Sequence, residues 1–231
     1  MTARLPGRLP GQGRSIDRTR PLRFSFDGRA YEGFAGDTLA SALLANGVRL
    51  MGRSFKYHRP RGPLTAGPEE PNALVEVLDE GGQHTPNVRA TQAELFEGLS
   101  ARSQNRWPRL DFDLLAVNDW LHPFLGAGFY YKTFMWPAKF WERLYEPAIR
   151  RAAGLGRLSG LHDEAPYEKA HAFCDLLVIG SGPAGLIAAL VAGRAGARVI
   201  LAEQDREFGG ALLVQAPEID GRPGPDWAAG V

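Results

Sequence analysis

Apolar and polar residues alternate near the start of the chain in a pattern that predicts a β-hairpin. The alternation covers Leu22–Phe26 and returns over Ala30–Phe34. Between these runs lies Asp27-Gly28, a dipeptide typical of two-residue hairpin turns because both positions tolerate a positive φ. We therefore expect two antiparallel strands joined by a tight turn.

A short amphipathic helix is predicted directly after the hairpin. Asp37 is a suitable N-cap, and Gly47 follows the last predicted turn of the helix. Further strands are predicted at Ala73–Leu78 and near Val88. Two strands, a helix and two more strands indicate an α+β domain over residues 21–95, with the β-grasp fold of plant-type ferredoxins.

A different pattern lies in the last quarter of the chain. Asp175–Ile179 and Val199–Ala202 are short apolar runs of the kind found in buried parallel strands. The residues between them have the length and composition of a glycine turn followed by a helix. This order of strand, helix and strand predicts an α/β unit, an incomplete Rossmann-type FAD/NAD(P)-binding βαβ unit within residues 171–231.

The turn of this unit carries a nucleotide-binding pattern. Gly180, Gly182 and Gly185 form G-x-G-x-x-G, which allows a tight turn, close approach of a pyrophosphate and close packing of the helix on the strand. The helix N-terminus offers N–H groups and a positive dipole end to phosphates. Glu203, roughly twenty residues on, can accept the ribose hydroxyls and would repel a 2′-phosphate. The residues thus predict NAD or FAD rather than NADP.

Composition narrows the possible classes of protein. The formal net charge of +1 argues against a dedicated nucleic-acid binder, and 44% hydrophobic residues are sufficient for a packed core. No stretch is long and apolar enough to predict a membrane span. A single cysteine, Cys174, is incompatible with a disulfide framework and fits a reducing, cytoplasmic setting.

The loop Gly52–Gly62, GRSFKYHRPRG, lies where plant-type ferredoxins carry most of their cluster cysteines. It contains no cysteine, so we predict a ferredoxin-like domain without an iron–sulfur cluster. The loop is strongly basic and could hold an anion, a phosphate or an acidic surface of a partner, or could simply be solvated. His58 alone does not predict a metal site, because no second ligand is suitably spaced.

Two segments lie outside the predicted domains. Residues 1–20 are rich in arginine, proline and glycine, and we expect an extended basic arm that orders only against a partner. Residues 96–170 form an aromatic-rich connection and linker. Its tryptophans and tyrosines are of the type enriched in interface hot spots, although a local core under an irregular connection is an equally good interpretation.

Several longer motifs resemble one family, the α subunits of heterotetrameric sarcosine oxidases. The resemblance runs from about residue 14 to about residue 214. Its motifs are FDG at 26–28, GDTLASALLANG at 36–47, GRSFKYHRPRG at 52–62, EPNA at 70–73, PNVRAT at 86–91, GFYYKTFMWP at 128–137 and RRAAGLG at 150–156. Related amine and opine dehydrogenase subunits keep their cluster cysteines, so the cysteine-free loop favours the sarcosine oxidase branch.

The resemblance implies an activity and a set of partners. Sarcosine oxidases of this type demethylate sarcosine to glycine, with O₂ giving hydrogen peroxide and tetrahydrofolate accepting the one-carbon unit. The family implies a complex with β, γ and δ subunits, FAD in the β subunit and FMN at the contact of the α and β subunits. It implies NAD as the nucleotide of this chain.

The resemblance also implies the residues that contact the nucleotide. The implied NAD site comprises Gly180, Gly182, Ala184, Gly185, Glu203, Gln204, Asp205, Gly210 and Ala211. No residue of the chain is a candidate catalyst for amine oxidation, and no metal site is expected. We therefore expect this chain to contribute nucleotide binding and subunit assembly.

The family's α subunits are several times longer than 231 residues. Pro217–Val231 offers no convincing third strand, which predicts a fragment or truncated frame with a marginal nucleotide unit. Two alternatives remain open. One is a subunit of a related FAD- or NAD-dependent amine or opine dehydrogenase, and the other is a non-catalytic assembly module.

Overall fold

A computed structural model of the chain describes residues 7–9, 11–13, 15–79, 82–128, 136–162, 167–205, 207–215 and 217–231. The chain divides into two compact units, Met1–Asp163 and Glu164–Val231. None of the helices within the described residues is long and apolar enough to cross a membrane.

A five-stranded mixed sheet forms the centre of the first unit. Its strands, with a short two-stranded ribbon, are β1 (Asp17–Phe26), β2 (Arg29–Ala35), β3 (Gly52–Arg53), β4 (Pro60–Arg61), β5 (Leu74–Leu78), β6 (His84–Arg89) and β7 (Ser100–Ser103). The order across the sheet is β2-β1-β7-β5-β6, and β3 pairs with β4 separately. Strands β1 and β7 are parallel, whereas the other neighbours are antiparallel.

The hairpin between β1 and β2 turns at the predicted dipeptide. Asp27 has a φ of 49° and Gly28 a φ of 77°, as a two-residue hairpin turn of the mirror-image type requires. Phe26 pairs with Arg29 across the turn. The apolar side of the sheet packs with the first helix in a buried core that includes Phe24 and Leu43.

The first helix, α1 (Leu39–Ala45), starts differently from the prediction. Thr38 is the N-cap, because its side chain accepts a hydrogen bond from the Ser41 N–H while the Ser41 hydroxyl accepts one from the Thr38 N–H. Asp37 lies one residue earlier and is buried, accepting hydrogen bonds from the Phe34 N–H and the Ser41 hydroxyl. The predicted role of Asp37 as N-cap is therefore wrong.

Part of the basic arm lies against its own domain. Arg8 donates to the Asp37 carboxylate at 2.6 Å, and its guanidinium lies 5.3 Å from the centre of the Phe34 ring. The Arg18 guanidinium donates to the carbonyl of Gln12 at 2.6 Å. Residues 17–20 already belong to β1. For these residues the expectation that the arm orders only against a partner is wrong, since Arg8 pairs with the buried Asp37 carboxylate and residues 17–20 are part of a strand.

Short helical turns follow the sheet in the described part of the first unit. They are a 3₁₀ turn (Leu114–Ala116), α2 (Val117–Trp120), a second 3₁₀ turn (Ala138–Phe140), a π-helical turn (Trp141–Tyr145) and α3 (Glu146–Ala152). Several aromatic side chains here are exposed, Trp120 by 85% and Phe124 by 81%. Most of the GFYYKTFMWP motif, residues 129–135, lies outside the described residues.

The second unit contains the predicted strand, helix and strand. Its elements are β8 (Leu176–Ile179), α4 (Pro183–Arg194), β9 (Val199–Ala202), α5 (Ala211–Gln215), β10 (Glu218–Ile219), β11 (Arg222–Pro223) and α6 (Gly224–Ala228). Strands β8 and β9 are parallel in the register Leu176 to Val199. Over the described part of this unit no third strand joins that pair, because β10 and β11 form their own antiparallel ribbon. A small core contains Leu186, Leu212 and Trp227.

Candidate functional site

The glycine turn, residues 180–185, connects β8 to α4. Gly180 has a φ of 91°, which permits the reversal directly after the strand. A Cβ at Gly185 would collide with the carbonyl oxygen of Gly180, so the helix can approach the strand this closely only with glycine there. A Cβ at Gly182 would have no atom within 4 Å. The turn therefore leaves open space at the position where the sequence predicts a pyrophosphate.

The helix after the turn begins with suitable donors. Gly182 is the N-cap and Pro183 the first helical residue, which has no N–H to leave unpaired. The N–H groups of Ala184 and Gly185 lie in the first turn, where an α-helix supplies no carbonyl acceptor. Together with the helix dipole, these groups form a site suited to an anionic phosphate.

Glu203 follows β9, and its carboxylate reaches back to the glycine turn. Its Oε2 accepts hydrogen bonds from the Ser181 N–H and from the Ser181 hydroxyl, each at 2.6 Å. Its Oε1 accepts from the N–H groups of Gln204 at 2.7 Å and Asp205 at 3.1 Å. The hydrogen bond from the Ser181 hydroxyl, helped by the three backbone N–H groups and opposed by burial, lowers the pKa of Glu203 to about 2. The site thus holds a fixed negative charge beside the turn.

The segment that contains Gly209 and Gly210 also contacts this turn. It does so at Ser181, whose side chain is completely buried. The Gly209 N–H donates to the Ser181 carbonyl at 3.0 Å and lies 3.2 Å from the Ser181 hydroxyl. Gly210 has a φ of 50°, and a Cβ there would lie 3.1 Å from the Gly182 Cα. Ala211 begins α5 with its side chain exposed.

The structure brings most of the predicted residues to one place. The Glu203 carboxylate contacts the turn at residues 180–185, and the N–H groups of residues 204 and 205 bind this carboxylate. The Gly210 backbone lies against the same turn. The side chains of Gln204 and Ala211 are exposed. The nucleotide contacts of the whole set stay predictions.

Ser181 was missed by reasoning from sequence. It occupies the variable position between the first two glycines, where the pattern specifies no side chain. Its hydroxyl nevertheless touches both Glu203 and the segment at Gly209. The one indication in the sequence was the serine itself, since the turn requires no hydroxyl side chain at this position.

The basic loop, residues 52–62, is the other place where a cofactor was considered. Its His58 is fully buried and lies 2.7 Å from Asp113, measured from Nδ1 to Oδ2. Asp113 also accepts from the N–H groups of Trp107 at 2.9 Å and Leu115 at 3.1 Å. The Arg53 guanidinium donates to the carbonyls of His58 and Leu110. Beneath the loop, the side chains of His58, Asp113 and Arg53 are therefore engaged with one another and with backbone groups.

The outer part of the basic loop is also attached to the connection that follows. Lys56 donates to the Gly126 carbonyl at 2.8 Å, and the Tyr57 hydroxyl donates to the Leu125 carbonyl at 2.9 Å. Arg59 pairs with Asp119 at 2.7 Å. A purely solvated loop is thus wrong for these side chains. Among the described residues, no group of three or more His, Cys, Asp and Glu side chains is arranged to hold a metal ion.

Comparison with known proteins gives two family matches. Residues 19–106 match the model of a 2Fe-2S iron-sulfur cluster binding domain, and residues 175–221 match that of an FAD dependent oxidoreductase. These matches define the class: a ferredoxin-like domain followed by a nucleotide-binding unit of the oxidoreductase type. They confirm the predicted ferredoxin-like domain and the predicted nucleotide-binding unit, whereas the absence of a cluster stays a prediction.

Within this class, the chain is homologous to sarcosine oxidase α subunits, which confirms the family resemblance. It is 65% identical over 221 residues to sarcosine oxidase subunit alpha of Rhizobium meliloti (strain 1021), covering 96% of this chain and 22% of that protein. It is 36% identical over 216 residues to sarcosine oxidase subunit alpha of Corynebacterium sp. (strain U-96), covering 93% and 18%. The chain thus spans about a fifth of the length of these relatives, and the similarity is to oxidoreductase subunits.

A solved structure also aligns with the chain. The crystal structure of L-proline dehydrogenase from P. horikoshii gives a TM-score of 0.49 at 19% identity, covering 91% of this chain and 30% of that one. A likeness at this level supports no functional inference.

Proposed function

We propose that this chain is a part of a sarcosine oxidase α subunit, in which it holds the adenosine half of a dinucleotide. The observation that carries the proposal is the meeting of Glu203 with the glycine turn, 2.6 Å from the Ser181 N–H. A carboxylate at this place is the group that accepts ribose hydroxyls in dinucleotide-binding folds. The helix N–H groups beside it suit the pyrophosphate.

The dinucleotide is NAD in this proposal. Its support is the family resemblance, which implies NAD for the α subunit and FAD for the β subunit. The match of residues 175–221 to FAD dependent oxidoreductases supports FAD as the competing candidate. NAD and FAD share the ADP moiety, and the residues described above suit that shared part. Nucleotide released from the purified protein and identified by mass spectrometry decides between them.

The ferredoxin-like domain, in our proposal, holds no iron–sulfur cluster. A cluster of this type needs four cysteine thiolates, or two with two histidines, and the chain has Cys174 alone. His58 in the basic loop is already paired with Asp113. We expect anaerobic reconstitution with iron and sulfide to leave the visible absorption of the protein unchanged. A stable cluster spectrum in stoichiometric yield would contradict this part of the proposal.

The complete reaction belongs to the whole complex. By resemblance, sarcosine, O₂ and tetrahydrofolate are converted to glycine, hydrogen peroxide and methylenetetrahydrofolate, with the amine oxidised on FAD outside this chain. This chain would then contribute nucleotide binding and contacts to the β, γ and δ subunits. The exposed aromatic side chains of the first unit, among them Trp120 and Trp136, are of the kind that partner subunits cover.

The central test compares Glu203→Ala with Glu218→Ala. The Glu203→Ala variant would lack the carboxylate that accepts the ribose hydroxyls. We expect its nucleotide affinity to fall by roughly tenfold to a hundredfold, the usual effect of losing hydrogen bonds to a charged group. Glu218 lies in β10 with an exposed side chain, so its variant serves as a matched carboxylate control. Equilibrium dialysis with labelled NAD and with FAD measures both. Equal binding by the two variants would favour a non-catalytic assembly module.

A further inference from the structure

The Glu203 carboxylate has no vacant acceptor site in this structure. An ionised carboxylate offers about four lone-pair positions. Ser181 fills those on Oε2 with its N–H and its hydroxyl, and the N–H groups of Gln204 and Asp205 fill those on Oε1. A ribose hydroxyl must therefore displace one of these four donors before it can bind.

The four donors differ in how easily they can leave. Three are backbone N–H groups, which cannot rotate away on their own. One belongs to Ser181 in the glycine turn, and the other two belong to the residues directly after Glu203. The fourth is the Ser181 hydroxyl, which leaves by rotation about one side-chain bond. It is also the chemical equivalent of the incoming group, an aliphatic hydroxyl donating to the same oxygen at 2.6 Å.

Releasing the Ser181 hydroxyl leaves the surrounding backbone paired. The Gly209 N–H keeps the Ser181 carbonyl as its acceptor at 3.0 Å, so its longer contact to the hydroxyl at 3.2 Å is dispensable. The Ser181 N–H also remains on Glu203. The segment at Gly209 can thus stay docked on the turn while the hydroxyl moves.

We propose that the Ser181 hydroxyl takes the place of a ribose hydroxyl on Glu203 and is displaced when an adenine nucleotide binds. Ser181 is then a specificity-determining residue, because only a ligand with a free ribose hydroxyl gains the contact that the serine gives up. This inference rests on the proposed role of Glu203 as the ribose acceptor. It extends that role by naming the group that competes with the nucleotide.

Removal of the competing hydroxyl has an expected size and sign. Ser181→Ala leaves one lone pair of Glu203 to water, which a ribose hydroxyl displaces more easily than an intramolecular donor. We expect the variant to bind ADP roughly threefold to tenfold more tightly than the parent, the range of a typical intramolecular hydrogen bond. Ser181→Cys keeps a similar shape with a weak donor and should give a smaller gain in affinity.

The test uses ADP, the moiety common to NAD and FAD, and its 2′-deoxy and 3′-deoxy analogues. Isothermal titration of the nucleotide-free chain, with its copurifying subunits, compares the parent, Ser181→Ala, Ser181→Cys and Glu203→Ala. A gain for ADP in Ser181→Ala that disappears with at least one deoxy analogue supports the displacement. Unchanged or weaker binding of ADP, or an equal gain for all three ligands, overturns it.

The same titrations separate this inference from the proposed function. If Glu203→Ala binds ADP as well as the parent does, or if the parent does not bind it, the ribose role of Glu203 fails and the displacement fails with it. If Glu203→Ala loses binding while Ser181→Ala shows no gain, only the displacement is overturned. Thermal melting of each variant, with the Ser181→Cys result, distinguishes an altered affinity from a damaged fold.

Discussion

The glycine turn of the second unit and the basic loop of the first are both places where related folds hold a cofactor, yet the chain treats them in opposite ways. At the glycine turn, the Cβ position of Gly182 is open and the Glu203 carboxylate is held by donors that include a movable hydroxyl. At the basic loop, His58 and Asp113 are fully buried against each other, with Arg53 beside them. One region keeps an open backbone position and a carboxylate for a ligand, whereas in the other the side chains of His58, Asp113 and Arg53 are engaged with one another and with backbone groups.

The basic loop is held in place by contacts to the segment that follows it. A cluster normally ties the loop of a ferredoxin-like domain together through its cysteines. Here hydrogen bonds from Arg53, Tyr57 and Arg59 to the segment 110–125 tie the loop to the chain that follows. We therefore expect substitutions at the loop to change stability and substitutions at the turn to change nucleotide binding.

The largest effect is expected from Asp113→Ala. The substitution would leave buried His58 and the N–H groups of Trp107 and Leu115 without their acceptor. Asp113 is also the buried partner of the Arg53 guanidinium, at 3.9 Å. Loss of one partner of a buried ion pair costs about 3–5 kcal/mol, so the free energy of unfolding of the first unit should fall by that amount. Urea unfolding followed by circular dichroism measures it.

Asp119→Ala is the matched control for Asp113→Ala. Its partner Arg59 belongs to the same loop, but the side chains of the pair are 49% and 39% exposed. An ion pair this exposed contributes about 0.2–1 kcal/mol. Equal destabilisation by the two substitutions would contradict the view that the buried contacts of Asp113 support the loop more than the exposed pair of Arg59 and Asp119 does.

An intermediate effect is expected when the pH is lowered, because the pKa of Glu203 lies below its usual range, at about 2. A group with a depressed pKa in the folded state stabilises fully above its ordinary pKa of 4.5 and loses this contribution as the pH falls to about 2. The second unit should therefore lose stability across that interval, and Glu203→Gln should lose less of it. NMR of its Trp227 indole N–H across the titration reports on this unit, because Trp227 belongs to its core. No difference between parent and variant would show that Glu203 does not tie the turn to β9.

Sequence reasoning identified the parts of the fold that depend on local chemistry. Asp27-Gly28 predicts its hairpin because few other residues adopt two successive positive φ angles. The glycine turn could be predicted because the close packing of helix and strand permits only glycine at position 185. The pairing of His58 with Asp113 joins residues far apart in sequence, and no local pattern encodes it.

The remaining errors arose where neighbouring residues compete for one role. Asp37 and Thr38 are both good N-caps, and the structure uses Thr38 because the Asp37 carboxylate instead holds Arg8 and the Phe34 N–H. Ser181 could not be predicted as a site residue because its role depends on the position of the Glu203 carboxylate, which is distant in sequence. In both cases tertiary contacts decide which of several suitable side chains performs the task.

The smallest effects are expected from two glycine substitutions in helix α4, which differ in sign. Gly185→Ala places a methyl group against the Gly180 carbonyl, so it should destabilise the second unit by about 1–3 kcal/mol and weaken nucleotide binding. Gly193→Ala adds a methyl group in open space within the same helix. It should stabilise that unit by roughly 0.5–1 kcal/mol through better helix propensity and leave nucleotide binding unchanged.

Urea unfolding and ADP titration on the two glycine variants measure stability and binding independently. The close approach of strand and helix shapes the glycine turn, so only Gly185→Ala should affect both quantities. A Gly185→Ala protein as stable as the parent, with normal affinity, would mean that the turn relaxes without cost. The contrast between a turn shaped for a ligand and a loop supported by its own buried side chains would then rest on Glu203 and its partners alone.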